Sequence, residues 1–545
     1  MQQSVPNRDS EKKTLQMVSA DDGCANTSSC EDAMERFLTR HGDRITATLS
    51  GFDRLRFRGS LRSLSYVKGL EIFLSTQQVL LKDFGRYVEE LSDTVKQHAE
   101  RLAATTGRPL EFLPSSRVSK EERARAIAEQ DGVRAGLICI LSCVESCRTY
   151  GVRKDRRSKH LVVTPQERKC LHLYFYFHDP EFGLMHIRLQ TWVPFTIQIC
   201  VNGREWLARQ LAARGIAHRQ VDNALTAIDD PVRAQALLDT LGTRAWTPVL
   251  AAWARRVNPL ITRLRRAGLR PYYWSLDESE YATDLLFGDP ATLHRLYPAL
   301  THHAISQFGS EDVLRFLGRR PQAGFSGEVR TLFGRVEGVR VKHWVEENSI
   351  KMYDKHGCIL RIETTLNNPR RYNVRRTVTR QGHRTRTWCR LRKGVADVAR
   401  RVEVSRAANA RYLDALSVVG EPSPSYRLLD SVSQPIVHRG RRYRPLRPIS
   451  PQEAPLLRAI LRGEHCAQGF RNADLRQRLY PDAARDPIAR RQAANRVTRL
   501  IRLLRAHRLV HKTPHTRYYR VSPLGHQVMS TALTFRERDL ALLAA

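Results

Sequence analysis

Residues 450–522 read SPQEAPLLRAILRGEHCAQGFRNADLRQRLYPDAARDPIARRQAANRVTRLIRLLRAHRLVHKTPHTRYYRVS. Ser450-Pro451-Gln452-Glu453 has the form of a capping box with Pro at the first helical position. Leu456, Leu457, Ile460 and Leu461 then recur at helical spacing and form one apolar stripe. Gly469 and Phe470 interrupt the pattern, and Asn472 caps a short helix that turns Leu475 and Leu479 inward. A third helix is expected from Ala489 to Arg508, with Val497, Leu500, Ile501 and Leu504 on its core face. Arg490, Arg491, Asn495, Arg496, Arg499 and Arg502 cover its outer face. Leu509–Lys512 and Arg517–Val521 alternate as short strands about a Pro-His-Thr turn. Helix, helix, helix, hairpin is the order of a winged helix-turn-helix. Arg and Asn on the third helix suit groove edges and phosphates, and Lys512, Arg517 and Tyr519 on the hairpin suit the backbone. The bland alternative is a helical bundle with a solvated basic face.

The pattern LLRAHRLVHKTPHTRYYRVSPLG resembles the winged-helix domain of MarR-type and related bacterial regulators. The resemblance covers about the last eighty to ninety residues and implies a class of partner rather than a reaction.

The 545 residues carry 91 Lys and Arg against 55 Asp and Glu, a formal net charge of +36. An excess of that size points to a polyanion, DNA or RNA. With 41% hydrophobic residues the chain can bury a core, and its length allows several domains. No apolar run is long enough for a membrane span, and no signal peptide is visible. The 10 Cys contain no CxxC pair, which argues against a zinc site and against a secreted disulfide scaffold. Cys139, Cys143 and Cys147 read as small apolar residues on and beside a buried strand. The expected setting is bacterial, cytoplasmic and nucleoid-associated, with no membrane partner.

The expected fold class is α+β and multidomain, with antiparallel sheets, helical segments and the C-terminal winged helix. Residues 1–33 read as a disordered tail, with Met34 as an alternative start; 34–203 as an α/β region with an antiparallel meander; and 204–320 as helical. Residues 321–420 read as basic β-hairpins and a helix, 421–449 as a flexible basic linker, and 450–545 as the winged helix. No internal repeat is visible.

Chemistry has several candidate seats. In the meander, His172, Tyr174, Tyr176 and His178 alternate with Leu173, Phe175 and Phe177, and His186, Arg188 and Gln190 follow on the next strand. Such a face could stack bases, hold an active site, or be an ordinary half-solvated sheet. Metal binding by His172, His178 and His186 lacks a carboxylate at a telling offset. Asn367–Gly394 interleaves Arg375, Arg376, Arg384 and Arg386 with Tyr372 and Trp388, a pattern for phosphate tracking with base stacking.

The stretch KMYDKHGCILRIETTL, residues 351–366, reads as a hairpin with Lys351 and Tyr353 on one face and Arg361 and Glu363 on one face. It resembles a strand pair of phage and plasmid rolling-circle replication initiators. That resemblance implies a carboxylate, here Glu363, helping to hold a divalent metal, and a Tyr attacking DNA. Tyr353 and Tyr281, with Tyr272 and Tyr273, are the candidates for the second role. No His-hydrophobic-His metal motif accompanies it, so the metal ligands stay unknown and Mg²⁺ or Mn²⁺ is required only if the body is catalytic. Asp277, Glu280 and Asp284 fall at helical spacing, either as a cation-binding face or as a solvated helix start. Asp53 is a further strand-end carboxylate.

LSGFDRLRFRGSLRS, RKCLHLYFYFHDPEFGLMHIRLQTWVPFTIQICVNGREWLARQL and VSRAANARYLDAL resemble an uncharacterised family of large basic bacterial proteins, over most of residues 34–530. The reading is a DNA-binding protein in mobile-element or plasmid-like DNA transactions, with a metal-dependent nicking or strand-transfer activity left open. The alternative is a non-catalytic winged-helix regulator or an RNA-binding protein, and a homodimer is compatible with either.

Overall fold

The computed structural model describes residues 27–319, 328–335, 339–380, 383–419, 425–484, 486–514 and 516–537. The first pass of the chain is α1 (Thr27–His41), β1 (Ile45–Ser60), α2 (Val67–Thr76), α3 (Phe84–Thr106), β2 (Leu110–Phe112) and α4 (Lys120–Gln130). A meander follows, β3 (Gly136–Lys154), β4 (Leu161–Asp179), β5 (Gly183–Gln190) and β6 (Ile197–Asn202), ending in α5 (Gly203–Ala212). The small hairpin β7 (His218–Val221) and β8 (Ala224–Ile228) leads to α6 (Pro231–Thr243), α7 (Trp246–Val257) and α8 (Leu260–Arg266).

The second pass is β9 (Tyr273–Phe287), α9 (Pro290–Ser306) and α10 (Ser310–Phe316), then the meander β10 (Val329–Arg335), β11 (Val339–Val345), β12 (Asn348–Lys355) and β13 (Ile359–Leu366). The ribbon β14 (Asn373–Arg380) and β15 (His383–Arg390) precedes α11 (Val398–Leu416). The C-terminal unit comprises α12 (Ser425–Asp430), β16 (Ile436–His438), β17 (Arg441–Tyr443), α13 (Ala454–Ile460), α14 (Gly463–Gln468), α15 (Asn472–Leu479), α16 (Pro487–Ala506), β18 (Val510–Lys512), β19 (Tyr519–Val521) and α17 (Pro523–Glu537).

Both passes build one 11-stranded sheet, in the order β10-β11-β12-β13-β9-β1-β6-β5-β4-β3-β2. Apart from the parallel β2–β3 pair its neighbours are antiparallel. Each pass repeats one plan: a long strand, helices, then a four-strand meander whose last strand returns to pair with the first. The long strands β1 and β9 pair antiparallel at the centre. The body is thus a topological duplication about a pseudo-two-fold axis between them. The sequence hides it because a shared strand order requires only similar alternation, not similar residues.

One face of the sheet is apolar and covered by helices. Phe52, Phe57, Phe175, Ile187, Ile199 and Tyr281 join Val88, Leu91 and Trp246 in the larger core, and Leu285, Ile350 and Ile362 join Leu300 and Leu413 in the second. Helix α11 lies against the second half and is anchored by polar groups. Its Arg401 donates to the Leu276 and Leu366 carbonyls at 2.5 and 3.2 Å, and Asn409 donates to the Tyr281 carbonyl at 3.1 Å. Burial lowers the Arg401 pKa to about 10. No helix among the described residues is long and apolar enough to cross a membrane.

Several boundaries differ from the sequence expectation. Residues 27–33 of the expected tail begin α1, and the rest of that tail lies outside the described residues. The region 204–320 is not all helical, since it supplies β9 at the sheet centre. Asp277, Glu280 and Asp284 sit on that strand, where Ser279, Tyr281, Thr283 and Leu285 keep a two-residue period toward the helices. The regions 34–203 and 321–420 are not separate, because both contribute strands to the same sheet. The start of the expected linker lies outside the described residues, but 425–449 carries α12 and the β16–β17 hairpin, and Val432 and Leu446 are buried in the C-terminal core. The β16–β17 turn places Arg439 and Gly440 at φ of 49° and 73°, the two positive angles that a tight two-residue hairpin demands.

The C-terminal unit also docks on the body. The Asp312 carboxylate accepts the Glu464 backbone N–H at 2.6 Å, and Arg478 joins Glu311 and Glu464 at 2.5 and 2.6 Å. Helix α16 begins slightly earlier than expected because Asp486 caps it, accepting from the N–H groups of Ile488 and Ala489. Asn472 does not cap α15; its side chain donates to the Ala494 carbonyl on α16 at 2.9 Å.

Candidate nucleic-acid interface

The second face of the sheet gathers most of the polar candidates. Side chains directly opposite on paired strands share a face, so the registers place Tyr174, Arg188, Gln198 and Arg58 in one row. The next row holds Tyr176, His186, Cys200, Arg56 and Glu278. In the other half, Glu363 faces Lys351 across β12–β13, and Arg361 lies between Asp284 and Tyr353. The two hairpin regions singled out in the sequence therefore lie on one face of one sheet.

Much of that face is closed. Tyr174 and Tyr176 pack with Cys139, Leu141 and Cys143 beneath Ala124, Ile127 and Ala128 of α4. His172 and Gln190 are buried, and Arg188 is held by Glu145 at 2.6 Å. Glu145 also accepts from Tyr174 at 2.7 Å. Burial works against its ionisation, but its hydrogen bonds from Cys143, Tyr174 and Arg188 prevail and hold the carboxyl at about 2. The candidate stacking surface of His172, Tyr174, Tyr176, His186, Arg188 and Gln190 is thus largely interior: α4 covers its tyrosines, and burial leaves His172 and His186 neutral, each lowered to about 4.

The centre of the face holds a carboxylate cluster that register alone does not reveal. On β1, Phe52 pairs with Tyr281 and Arg54 with Glu280, so Asp53 is the extra residue of a β-bulge. A bulge re-aims a side chain, and here it places Asp53 beside Glu280 and Glu363, with a carboxylate oxygen of each within 4.8 Å of the others. Asp284 completes the group, bound by Arg361 at 2.5 Å and Arg204 at 3.0 Å. Lys351 Nζ lies 2.7 Å from Glu363 Oε1, Tyr353 donates to Glu363 Oε2 at 3.0 Å, and Arg54 lies 2.8 Å from Glu280. The β7–β8 tip caps the cluster: Asn223 donates to both Asp53 oxygens at 3.2 Å and accepts from Lys355. Burial raises the Asp53 pKa despite Arg361, whereas at Asp284 burial is overcome by Arg204 and Arg361 and the pKa falls.

Of the proposed catalytic residues, Glu363 and Tyr353 come together. Tyr281 does not join them: its side chain points to the helix face, edge-on to Phe52 and bonded to Arg406. Asp53, Glu280 and Glu363 could hold a divalent cation through carboxylate oxygens, provided Lys351 yields its place. Cys147, Cys170 and His172 form a second group of ligand-bearing atoms.

Among the described residues, basic side chains outside ion pairs gather elsewhere. The β14–β15 ribbon pairs with no strand of the main sheet among the described residues. Arg375, Arg384 and Arg386 are exposed on it, and Trp388, 41% exposed, stacks against Arg375 at 5.1 Å. Arg376 differs, being tied to Asp397 at 2.5 Å. The distal β3–β4 arm carries exposed Arg148, Arg153, Lys154, Arg156, Arg157 and Lys159. Sequence reasoning missed it; the run RKDRRSK between two alternating segments is the signal that marks it as a basic hairpin end.

In the C-terminal unit Arg490, Arg491, Asn495, Arg496, Arg499, Lys512 and Arg517 are exposed, while Tyr519 is half-buried and stacks on Phe470. An open cleft of about 530 Å³ runs between α16 and the β16–β17 hairpin. Arg441, Arg442, Arg444, Arg496, Arg499 and Arg502 line it with Tyr443 and Tyr480. Of these arginines Arg444 is paired, with Glu453 at 2.6 Å; no acid lines the cleft among the described residues.

No protein-family model, no curated protein and no solved structure matches this chain.

Proposed function

We propose that this chain is a DNA-binding protein whose C-terminal unit is a winged helix-turn-helix, with α16 as the groove-reading helix and β18–β19 as the wing. The observation that carries this reading is the arginine cleft beside α16. Like charges held together without carboxylates repel one another, and a phosphate backbone is the abundant polyanion that relieves this. The β14–β15 ribbon and the β3–β4 arm add basic contacts on the body, and several contacts on one docked assembly raise the effective affinity. A two-domain protein with such reach fits mobile-element or plasmid-like DNA transactions better than simple repression.

Binding of labelled duplex, single-stranded DNA and RNA by the full chain, over a range of salt, tests this. Duplex binding that weakens steeply with salt supports the reading. Preference for RNA would redirect it to an RNA-binding protein, and absence of binding to any of them would end it.

A second reading, a metal-dependent strand-cleaving enzyme, is favoured by the convergence of Asp53, Glu280 and Glu363. The reaction would require a divalent cation on these oxygens and a water or tyrosine hydroxyl for attack on phosphorus. A nicking assay on supercoiled and single-stranded DNA with Mg²⁺ or Mn²⁺, with Glu363→Gln as control, decides it. Equal cleavage by both proteins, or none by either, removes this reading.

A further inference from the structure

The chain holds another cluster of ligand-bearing side chains, independent of any nucleic-acid role. Cys147 on β3 and Cys170 on β4 are joined as a disulfide with their Cα atoms 6.7 Å apart. His172 follows two residues along β4, so it projects from the same face as Cys170. The two sulfurs and a ring nitrogen of His172 all lie within 4.8 Å of one another.

The state of the imidazole is informative. His172 is 1% exposed, and its Nδ1 lies 3.2 Å from the Cys170 carbonyl oxygen. A carbonyl can only accept, so Nδ1 carries the proton and Nε2 keeps a lone pair. That Nε2 is buried with no hydrogen-bond partner, which is costly for a polar atom unless something else occupies it. A backbone carbonyl that fixes one nitrogen and frees the other is the usual support of a metal-bound histidine. Cys147 is half-buried, which leaves an approach from solvent.

We propose that, with the disulfide reduced, Cys147, Cys170 and His172 bind a thiophilic divalent cation of the zinc class. A dithiol reductant converts the disulfide to two thiols and is itself oxidised to a disulfide. The cation then displaces both thiol protons, and two thiolates and one imidazole bind it. Among the described residues no fourth His, Cys, Asp or Glu joins the set, so water completes a tetrahedral shell. Oxidation by the disulfide form of the dithiol closes the site: that disulfide takes up two electrons and two protons, and the S–S bond formed in the chain leaves both sulfurs neutral and without thiolate charge for the metal. The site stands at the root of the basic β3–β4 arm, where either the cation or the disulfide ties the two strands.

Cobalt(II) replaces zinc with a visible spectrum and supplies the test. The full chain, reduced by a dithiol and freed of it without air, should take up a single equivalent of Co²⁺ with thiolate charge-transfer and tetrahedral ligand-field bands. Added Zn²⁺ should bleach those bands. The oxidised chain should show none, nor should Cys147→Ser, whereas Cys358→Ser should keep them. No thiolate band in the reduced chain, or an undiminished band in Cys147→Ser, overturns the proposal. Circular dichroism reports whether that variant folds. If it does not, the contrast between reduced and oxidised wild-type protein decides alone.

Discussion

The arginines of the sheet face and those of the C-terminal cleft are the same side chain put to opposite uses. On the sheet, Arg54 meets Glu280 at 2.8 Å, Arg188 meets Glu145 at 2.6 Å, and Arg361 meets Asp284 at 2.5 Å. In the cleft, Arg441, Arg442, Arg496, Arg499 and Arg502 gather with no acid among the lining residues. The chain spends its 55 acidic residues unevenly, so its excess charge emerges at the cleft, the β14–β15 ribbon and the β3–β4 arm. A net charge describes a whole chain; partner choice depends on which cations are left without carboxylates.

This contrast can be broken at several points. Arg361→Met should have the largest effect, since it leaves Asp53 and Asp284 buried and underpaired. The expected loss is roughly 3–5 kcal/mol of unfolding free energy, read from the urea midpoint; a change under about 1 kcal/mol would show that the network is not coupled as described. Asp414 sharpens the rule from the other side. Burial raises its pKa to about 7 even though Arg36 contacts it. Its proton therefore binds the folded state more tightly than the unfolded one. The stability this supplies is full below about pH 4 and is lost as pH rises through 7, on the order of 4 kcal/mol. Urea unfolding at pH 5 and pH 8 should differ by roughly 2.6 kcal/mol of this in wild type and follow a flatter profile in Asp414→Asn; parallel profiles would refute it.

Smaller effects are expected at the unpaired arginines, and on binding rather than folding. Arg496→Ala with Arg499→Ala should weaken duplex affinity about 10- to 100-fold, or roughly 1.4–2.8 kcal/mol, with the thermal midpoint unchanged. Arg384→Ala with Arg386→Ala should cost several-fold, about 1 kcal/mol, in the same assay. If the ribbon pair proves more damaging than the cleft pair, the body rather than the C-terminal unit is the main contact.

The legible parts of the sequence were those with a strong local period. The stripe Val497, Ile501 and Leu504 placed α16 to within two residues, and the alternation from Leu171 to Phe177 placed the second half of β4. The same alternation paired Lys351 with Tyr353 and Arg361 with Glu363, and the β12–β13 register brings the two pairs onto one face. What could not be read depends on long-range pairing. Asp277, Glu280 and Asp284 fall at helical spacing, and only the pairing of their segment with β1 and β13 shows it to be a strand. Asp53 reaches Glu363 through a bulge, which has no sequence period. The His172–Tyr176 ladder read correctly as one face, but α4, remote in sequence, covers it. The β16–β17 strands are three residues each, too short for periodicity, so their basic composition read as a linker.

The central claim is that the cleft beside α16 takes up phosphate. The most direct measurement is the slope of log affinity against log salt for one duplex, compared between wild type and Arg496→Ala/Arg499→Ala in the full chain. Each lost phosphate contact lowers the slope by about 0.9, so the variant should be shallower by about 1.8 while its circular dichroism is unchanged. Equal slopes for the two proteins would contradict the account.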